Sequence, residues 1–593
     1  MARRNTYKED EVLETPFEVR HLLRAFVYIK KYLGKMIFAL VLSAIGGIMG
    51  LFGPMITQHA LDDAIPNKNV ELLLWLAGAL IFTFVVGVIF TTIRSRIMIN
   101  VSQNIIFDIR KDIFEHLQKL PFQYYDDRPH GKILIRVVNY VNSVSDMLSN
   151  GLINVILESL NLIFIVIFML CVDVKLSLVV LAGVPILAAF MLWLKKKQRR
   201  AWQQVSNKNS NLNAYLQENI VGARITQIFV REDENSETFG TLSDRCRKTW
   251  LEAVMYSNLM WPGIDNISVW VRAAVFIVGL IFMGTGNVSL GVVVAINSYS
   301  ARFWQPIMNL GNIFNNFINN IAYLERIFET LDEPVTVDDA EDAIKMPDIK
   351  GEVTFENVTF SYDESKTVLK NLSFTVKPGE SVALVGPTGA GKSTIVNLIS
   401  RFYNVNSGRV LIDGQDISKV TLNSLRSQMG IMLQDSFIFS GTIEDNIRYG
   451  KLDATEEEII RASKTVCAHD FIKRFQDGYQ TEVKERGSLL SQGQKQLISF
   501  ARTLLSNPAI LVLDEATSSI DVQTERALQQ GLNAMLEGRT SFIIAHRLST
   551  IKNCDKIMYI DDGGIAECGT HEELLAKKGH YYHLYTAQME DIA

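Results

Sequence analysis

Apolar runs long enough to cross a bilayer lie almost wholly before about residue 320, whereas beyond it short apolar runs of strand length alternate with polar turns. A hydrocarbon core of roughly 30 Å takes about 20 apolar residues as a helix. Six segments meet that length, near 36–56, 72–93, 152–172, 176–194, 260–283 and 289–318. Only Asp173, Val174 and Lys175 separate the third from the fourth, which predicts a tight turn at one face of the bilayer. Two long hydrophilic connections, 94–150 and 195–256, alternate with three short loops. Both keep a helical pattern, so the spans are expected to run on as helices beyond the bilayer and turn back through short crosswise segments.

The chain is too long for one core and reads as several domains: an N-terminal segment with an amphipathic helix (1–35), an all-α membrane domain of six spans (36–325), a linker (326–350) and a soluble α/β domain (351–593). Residues 17–32, apolar at Phe17, Leu22, Leu23, Phe26, Val27 and Ile29 among Arg20, Arg24, Lys30 and Lys31, suit a helix lying in the membrane interface. Met1–Glu14 mixes both charge signs with no apolar stretch, which fits neither a signal peptide nor an organelle presequence. Basic residues gather in the long connections, among them Arg94, Arg96, Arg110, Lys111, Lys119, Lys195, Lys196, Lys197, Arg199 and Arg200; loop 57–71 has only Lys68 against Asp62, Asp63 and Glu71. That bias puts the long connections and both termini on the cytoplasmic side. A net charge of −5 with no continuous basic surface argues against nucleic acid as a partner. The five cysteines form no CxxC pair, which argues against a disulfide framework or a zinc site.

Polar groups inside the spans are costly in lipid and are expected to face water or one another: Glu158, Asp265, Arg272, Arg302 and Gln305. They are candidates for a translocation path, with Trp261, Trp270, Phe303 and Trp304 as aromatic contacts to an amphipathic substrate or as packing residues.

In the soluble part, a strand-like run Ser381–Val385 leads into Gly386-Pro387-Thr388-Gly389-Ala390-Gly391-Lys392-Ser393-Thr394 and then a helical stretch. This is GxxxxGK[ST] in the strand, loop and helix context that it needs. Gly386, Gly389 and Gly391 let successive N–H groups, that of Thr388 included, turn toward phosphate oxygens; Lys392 reaches the outer phosphates, and Ser393 with Thr394 follows at the helix start, Ser393 as a Mg²⁺ ligand. Downstream, Ile510–Leu513 is a buried-strand run ending in Asp514 and Glu515. Asp514 suits Mg²⁺, directly or through water, and Glu515 suits the general base that polarises the attacking water.

Between these motifs stands Leu490-Ser491-Gln492-Gly493-Gln494, close to the LSGGQ signature, and with it nearly the whole chain resembles an ABC exporter half: six spans followed by one ABC ATPase domain with an inserted helical signature subdomain. The resemblance implies Tyr362 for stacking on adenine, Gln434 for sensing the γ-phosphate and ligating Mg²⁺, Ser518–Asp521 for the D-loop and His546 as the switch histidine. It makes segments 124–131 and 218–224 the two coupling helices. It also implies that two such domains close head to tail, with ATP between the phosphate loop of one and the signature Ser491, Gly493 and Gln494 of the other. Two positions depart from the family pattern. Gln492 replaces the usual Gly, and Lys484 stands where related exporters carry Gly. An altered signature beside intact Glu515 and His546 favours a heterodimer over a homodimer. The expectation is therefore ATP-hydrolysis-driven export of a membrane-accessible amphipathic substrate (drug, lipid or peptide) across a plasma membrane, bacterial by resemblance, with ATP and Mg²⁺ as cofactors. A nucleotide-gated channel or regulator is the alternative.

Overall fold

The computed structural model describes residues 19–126, 128, 130–286, 288–363, 366–432, 436–484, 487–514, 522–544 and 551–590. Phe17 and the side chain of Leu22 lie outside them. The chain forms two compact units, one of residues 1–117 and 130–333, the other of residues 118–129 and 334–593.

The described part of the first unit is entirely helical. The amphipathic helix Val19–Lys30 exposes Leu23, Phe26 and Val27 and buries Ala25 and Ile29. Its polar side is anchored: Arg24 pairs with Asp332, Tyr28 Oη donates to Asp112 at 2.9 Å, and Lys31 Nζ lies 3.0 Å from Asp108. Helices Val70–Leu117, Gly183–Val221 and Glu232–Gly284 run for 48, 39 and 53 residues. At about 1.5 Å per residue these are roughly 58–80 Å long, about twice the hydrocarbon thickness or more. The turn between the third and fourth spans narrows to Asp173, extended at φ −159°, whose carboxylate accepts the Leu176 N–H at 2.8 Å and starts the next helix.

Among the described residues five helical stretches are long and apolar enough to cross a membrane: Leu33–Ala64, Val70–Leu117, Ile133–Val172, Val174–Val221 and Glu232–Gly284. The sixth long helix, Leu290–Leu331, has the length but carries Asn297, Ser298, Ser300, Arg302, Gln305 and Asn309. Its apolar stripe of Val293, Ile296, Tyr299, Phe303, Trp304 and Met308 is buried against Ile165, Met169, Leu176, Val180 and Leu187. An amphipathic helix hides one face in protein and so reads as less apolar on average than a lipid-bathed one.

Several polar groups on or beside that helix have specific partners. Pro54 lies inside the continuous helix Leu33–His59 and has no N–H, so the Gly50 carbonyl loses its donor. Arg302 donates to Gly50 O at 2.6 Å and Tyr299 Oη to Leu51 O at 2.5 Å, which serves carbonyls in the turn before Pro54 from the neighbouring helix. At the helix start Asp62 accepts from Ser289 Oγ at 2.6 Å and from the Gly291 N–H at 2.8 Å. A carboxylate there also meets the positive end of the helix.

The second unit is α/β. Its antiparallel sheet has the order β2 (Thr367–Val376), β1 (Val353–Ser361), β4 (Ser407–Ile412), β5 (Gln415–Asp416). The larger sheet runs β12 (Gly564–Gly569), β11 (Lys556–Asp561), β3 (Ser381–Val385), β10 (Thr540–Ile544), β9 (Ile510–Asp514), β6 (Met429–Met432), parallel except for β12. Its central strands are covered on both faces, so they read as continuous apolar runs. Strand alternation divides them between two cores: Ala383, Val385, Leu511, Leu513 and Ile543 pack with the helix Gln492–Leu505, while Val382, Leu384, Val512, Phe542 and Ile544 pack with the antiparallel sheet. Residues after Pro334 are bound to this unit, with Arg401 donating to Asp338 O at 2.9 Å and Ser424 Oγ accepting the Met346 N–H at 2.8 Å.

The crosswise helices are Phe122–Asp126, which follows Pro121, and Ala223–Ile228, which follows a break at Gly222. Both are displaced by a few residues from the segments 124–131 and 218–224 that the resemblance implied, because Pro121 and Gly222 set their starts.

Candidate nucleotide site

The loop after β3 is built from backbone conformations that side chains rarely adopt. Gly386, Gly389 and Gly391 have φ of +141°, +84° and +107°. A Cβ on Gly386 would stand 2.1 Å from Ile560 O of β11, and one on Gly391 would stand 2.8 Å from Leu369 Cδ2. Pro387, Thr388 and Gly389 are exposed. Gly391 is the N-cap of helix Lys392–Ile399 and supplies no side-chain cap, so the first N–H groups of that helix suit an anion. Lys392 is buried and donates from Nζ to Gly386 O and Pro387 O, each at 2.8 Å. Burial pushes its pKa below the ordinary lysine range, and the charge of Asp514 opposes that shift. Ser393 is exposed at the helix start, while Thr394 is buried.

The sheet register brings the second motif to the same edge. Asp514 of β9 is level with Ile544 of β10, and Ile544 with Leu384 of β3, two residues before Gly386. Two strand spacings separate the rows, about 10 Å. Gln434, Glu515, the stretch Ser518–Asp521 and His546 lie outside the described residues.

Tyr362, just past β1, is anchored to the phosphate-loop helix, its hydroxyl 3.1 Å from Thr394 Oγ1. Its ring meets Phe360 and Tyr403 edge to face at 4.9 and 5.0 Å. Sequence reading missed what surrounds it. Gln123 Nε2 donates to Tyr362 O at 3.2 Å, Tyr403 Oη donates to Asp126 at 3.0 Å, and Phe122 packs on Phe402 at 4.4 Å. The short helix Phe122–Asp126 thus touches the aromatic group beside the phosphate loop. The signal was the aromatic pair Phe402-Tyr403 a few residues after that loop's helix, facing the aromatic run Phe122 to Tyr125.

The signature residues form a capping box. Ser491 Oγ accepts the Gln494 N–H at 3.3 Å, and Gln494 Oε1 accepts the Ser491 N–H at 2.9 Å. The serine hydroxyl keeps its own proton for donation. Gln492 is exposed in the first turn of this helix, and Gly493 is buried. Arg502 holds the helix in place, donating to Asn446 O at 2.8 Å and Phe437 O at 3.0 Å.

In the membrane unit, Asn309 Nδ2 donates to Glu158 at 2.7 Å, and Gln305 donates to Asn309 at 3.0 Å. Phe303 and Trp304 are core residues, whereas Trp261, Trp270 and Asp265 are exposed on the helix Glu232–Gly284.

Residues 36–307 match the ABC transporter transmembrane region, and residues 369–518 match the ABC transporter family. The chain is 41% identical to an uncharacterized ABC transporter ATP-binding protein, YknV, of Bacillus subtilis, covering 98% of this chain and 97% of that one. It is 37% identical to a fatty acid ABC transporter ATP-binding/permease protein of Mycobacterium bovis, over 79% of this chain and 74% of that one. A solved bacterial Atm1-family ABC exporter with ATP bound has the same fold, with TM-score 0.77 and 30% identity over 94% of this chain and 98% of that one. With both domains matched in order on one polypeptide, the chain belongs to the ABC exporters as a membrane-spanning, nucleotide-binding half-transporter.

Proposed function

We propose that the ATPase unit hydrolyses Mg²⁺-ATP in a site shared with a second half, and that closing and reopening this pair exports an amphipathic, membrane-accessible substrate. The observation that carries the reading is the register row in which Asp514 and the phosphate loop share one edge of the parallel sheet. Lys392 and the uncapped helix start suit the β- and γ-phosphates, and Tyr362 offers a ring for adenine. Ser393 and Asp514 suit Mg²⁺, which when bound neutralises charge developing on the phosphates. Glu515 is assigned as general base, with Gln434 and His546 positioning the water and the γ-phosphate. Ser491, Gly493 and Gln494 serve the partner's ATP, with the Ser491 hydroxyl and the backbone N–H groups of the helix start as donors.

Heterodimer remains the favoured assembly, because Gln492 adds a side chain to the surface of the signature and weakens the opposite site. The basic long connections put the ATPase unit in the cytoplasm. A fatty acid is the substrate named for one relative. Lipid-like amphipaths are therefore the first class to test.

Purified assembly carrying Glu515→Gln should bind ATP normally and lose roughly 10²–10⁴-fold in hydrolysis, the usual worth of a positioned base. Turnover near wild type would remove Glu515 from its role. A different half-transporter copurifying at equal stoichiometry supports the heterodimer; a single species of doubled mass refutes it.

A further inference from the structure

Within the membrane unit a cavity of about 240 Å³ lies between helices Leu33–His59, Val70–Leu117 and Leu152–Val172. One water needs only ~10–15 Å³, so the space admits a solute. Gly46, Gly47 and Gly87 contribute no side chain to fill it, and Leu157, Leu160 and Phe164 make one wall apolar. Thr91 and Asn161 add neutral polar groups to the lining, and Glu158, Arg94 and Ser43 fall into two classes. The carboxylate of Glu158 is already served by Asn309, which Gln305 holds in turn. Arg94 Nε and Ser43 Oγ are buried and have no hydrogen-bond partner, and Arg94 makes no ion pair among the described residues. Both residues are half-buried, and a buried guanidinium N–H and a buried hydroxyl left without acceptors are costly, both being donors. The unmet demand of the cavity is thus for a negatively charged acceptor beside an apolar chain.

We infer that this cavity is a head-group site for a single-chain amphipath with one acidic group, carboxylate or phosphate, paired with Arg94 and accepting from Ser43, its chain along Leu157, Leu160 and Phe164. This deepens the exporter reading and rests on it for its biological meaning, while its measurement needs no ATP. The full-length assembly in phosphatidylcholine nanodiscs is titrated with dodecyl phosphate, dodecanoate, dodecyltrimethylammonium and inorganic phosphate. Both anionic amphipaths should bind, and the cation and the tailless anion at least about tenfold more weakly, as expected of a charge-assisted contact backed by an apolar wall. If only one of the two anionic amphipaths binds, the acidic group is that one. Arg94→Gln should weaken binding at least about tenfold and Ser43→Ala about threefold, with Arg94→Lys recovering most of the loss. Unchanged binding in Arg94→Gln, or equal binding of the cationic probe, overturns the site. Should Arg94→Gln not fold, Ser43→Ala and the preference for the anionic over the cationic probe carry the same test. A protein that binds dodecyl phosphate but pumps nothing in vesicles keeps the site and loses the exporter reading. One that pumps a cationic amphipath without binding dodecyl phosphate does the reverse.

Discussion

Two glycines of the phosphate loop should respond very differently to one added methyl group. At Gly386, with φ +141°, a Cβ would stand 2.1 Å from Ile560 O, a backbone atom of the neighbouring strand β11. Relief requires the loop or the strand to move by about 1 Å, and the backbone conformation alone costs on the order of 1–3 kcal/mol. Gly389 has φ +84° but no atom within 4 Å of an added Cβ, so Gly389→Ala pays only left-handed strain, about 1–2 kcal/mol. With the steric contribution, Gly386→Ala should reach about 3–4 kcal/mol. For a domain of this size each kcal/mol moves Tm by roughly 2–4 °C. Melting of the nucleotide-free protein should therefore fall about two to three times further for Gly386→Ala. Fluorescent ATP-analogue binding should drop about 10²-fold in that variant, since a 1 Å misplacement of a binding loop is worth that much. Equal melting of the two variants, or wild-type nucleotide affinity in Gly386→Ala, would refute the reasoning.

Ser491→Ala removes the capping box and should cost about 1 kcal/mol of helix stability; it should also slow hydrolysis at the partner's site, while Ser491→Thr restores most of both, as ATPase rates and melting curves will report. Tyr403→Phe deletes the hydrogen bond to Asp126 and should free the helix Phe122–Asp126 by about 1 kcal/mol, visible as faster hydrogen exchange in residues 118–129 with little change in basal hydrolysis. His469 is buried, its Nδ1 2.8 Å from Tyr479 Oη, and burial, aided by Lys473 and Lys464, lowers its pKa. The unfolded chain then binds the extra proton first, so stability is complete above the ordinary histidine value of about 6.5 and is lost as pH falls toward the lowered one. Melting between pH 7.5 and 5.5 should drop more steeply in wild type than in His469→Gln, and parallel curves would contradict the assignment.

Much of this architecture was legible in the chain because its strongest signals are local. The strand before Gly386 and the one ending in Asp514 were readable because strands buried on both faces are uninterrupted apolar runs. The spacing from Gly386 to Lys392 predicts a phosphate cradle, and the structure forms a loop there with positive φ at Gly386, Gly389 and Gly391. What the sequence hid depends on partners distant along the chain. Nothing local marks Arg302 as the group that serves Gly50 O, because its role exists only once Pro54 has removed a donor some 250 residues earlier. Likewise the contact of Asp126 with Tyr403 spans 277 positions. The helix Leu290–Leu331 read as a sixth lipid-spanning segment by length, but its asparagines and serines reflect a helix that turns its apolar face inward, where Tyr299 is fully buried. Arg94 read as a basic residue of a cytoplasmic connection, and only packing of three helices around it made it a cavity wall.

The claim that ATP hydrolysis drives uphill export is tested most directly by accumulation of an amphipathic probe in sealed proteoliposomes with the ATPase units outward. Wild-type protein with Mg²⁺-ATP should raise the internal concentration above the external one, and Glu515→Gln should abolish that accumulation. Flux that requires ATP but stops at equal concentrations on both sides would contradict the account, because it is what a nucleotide-gated channel produces.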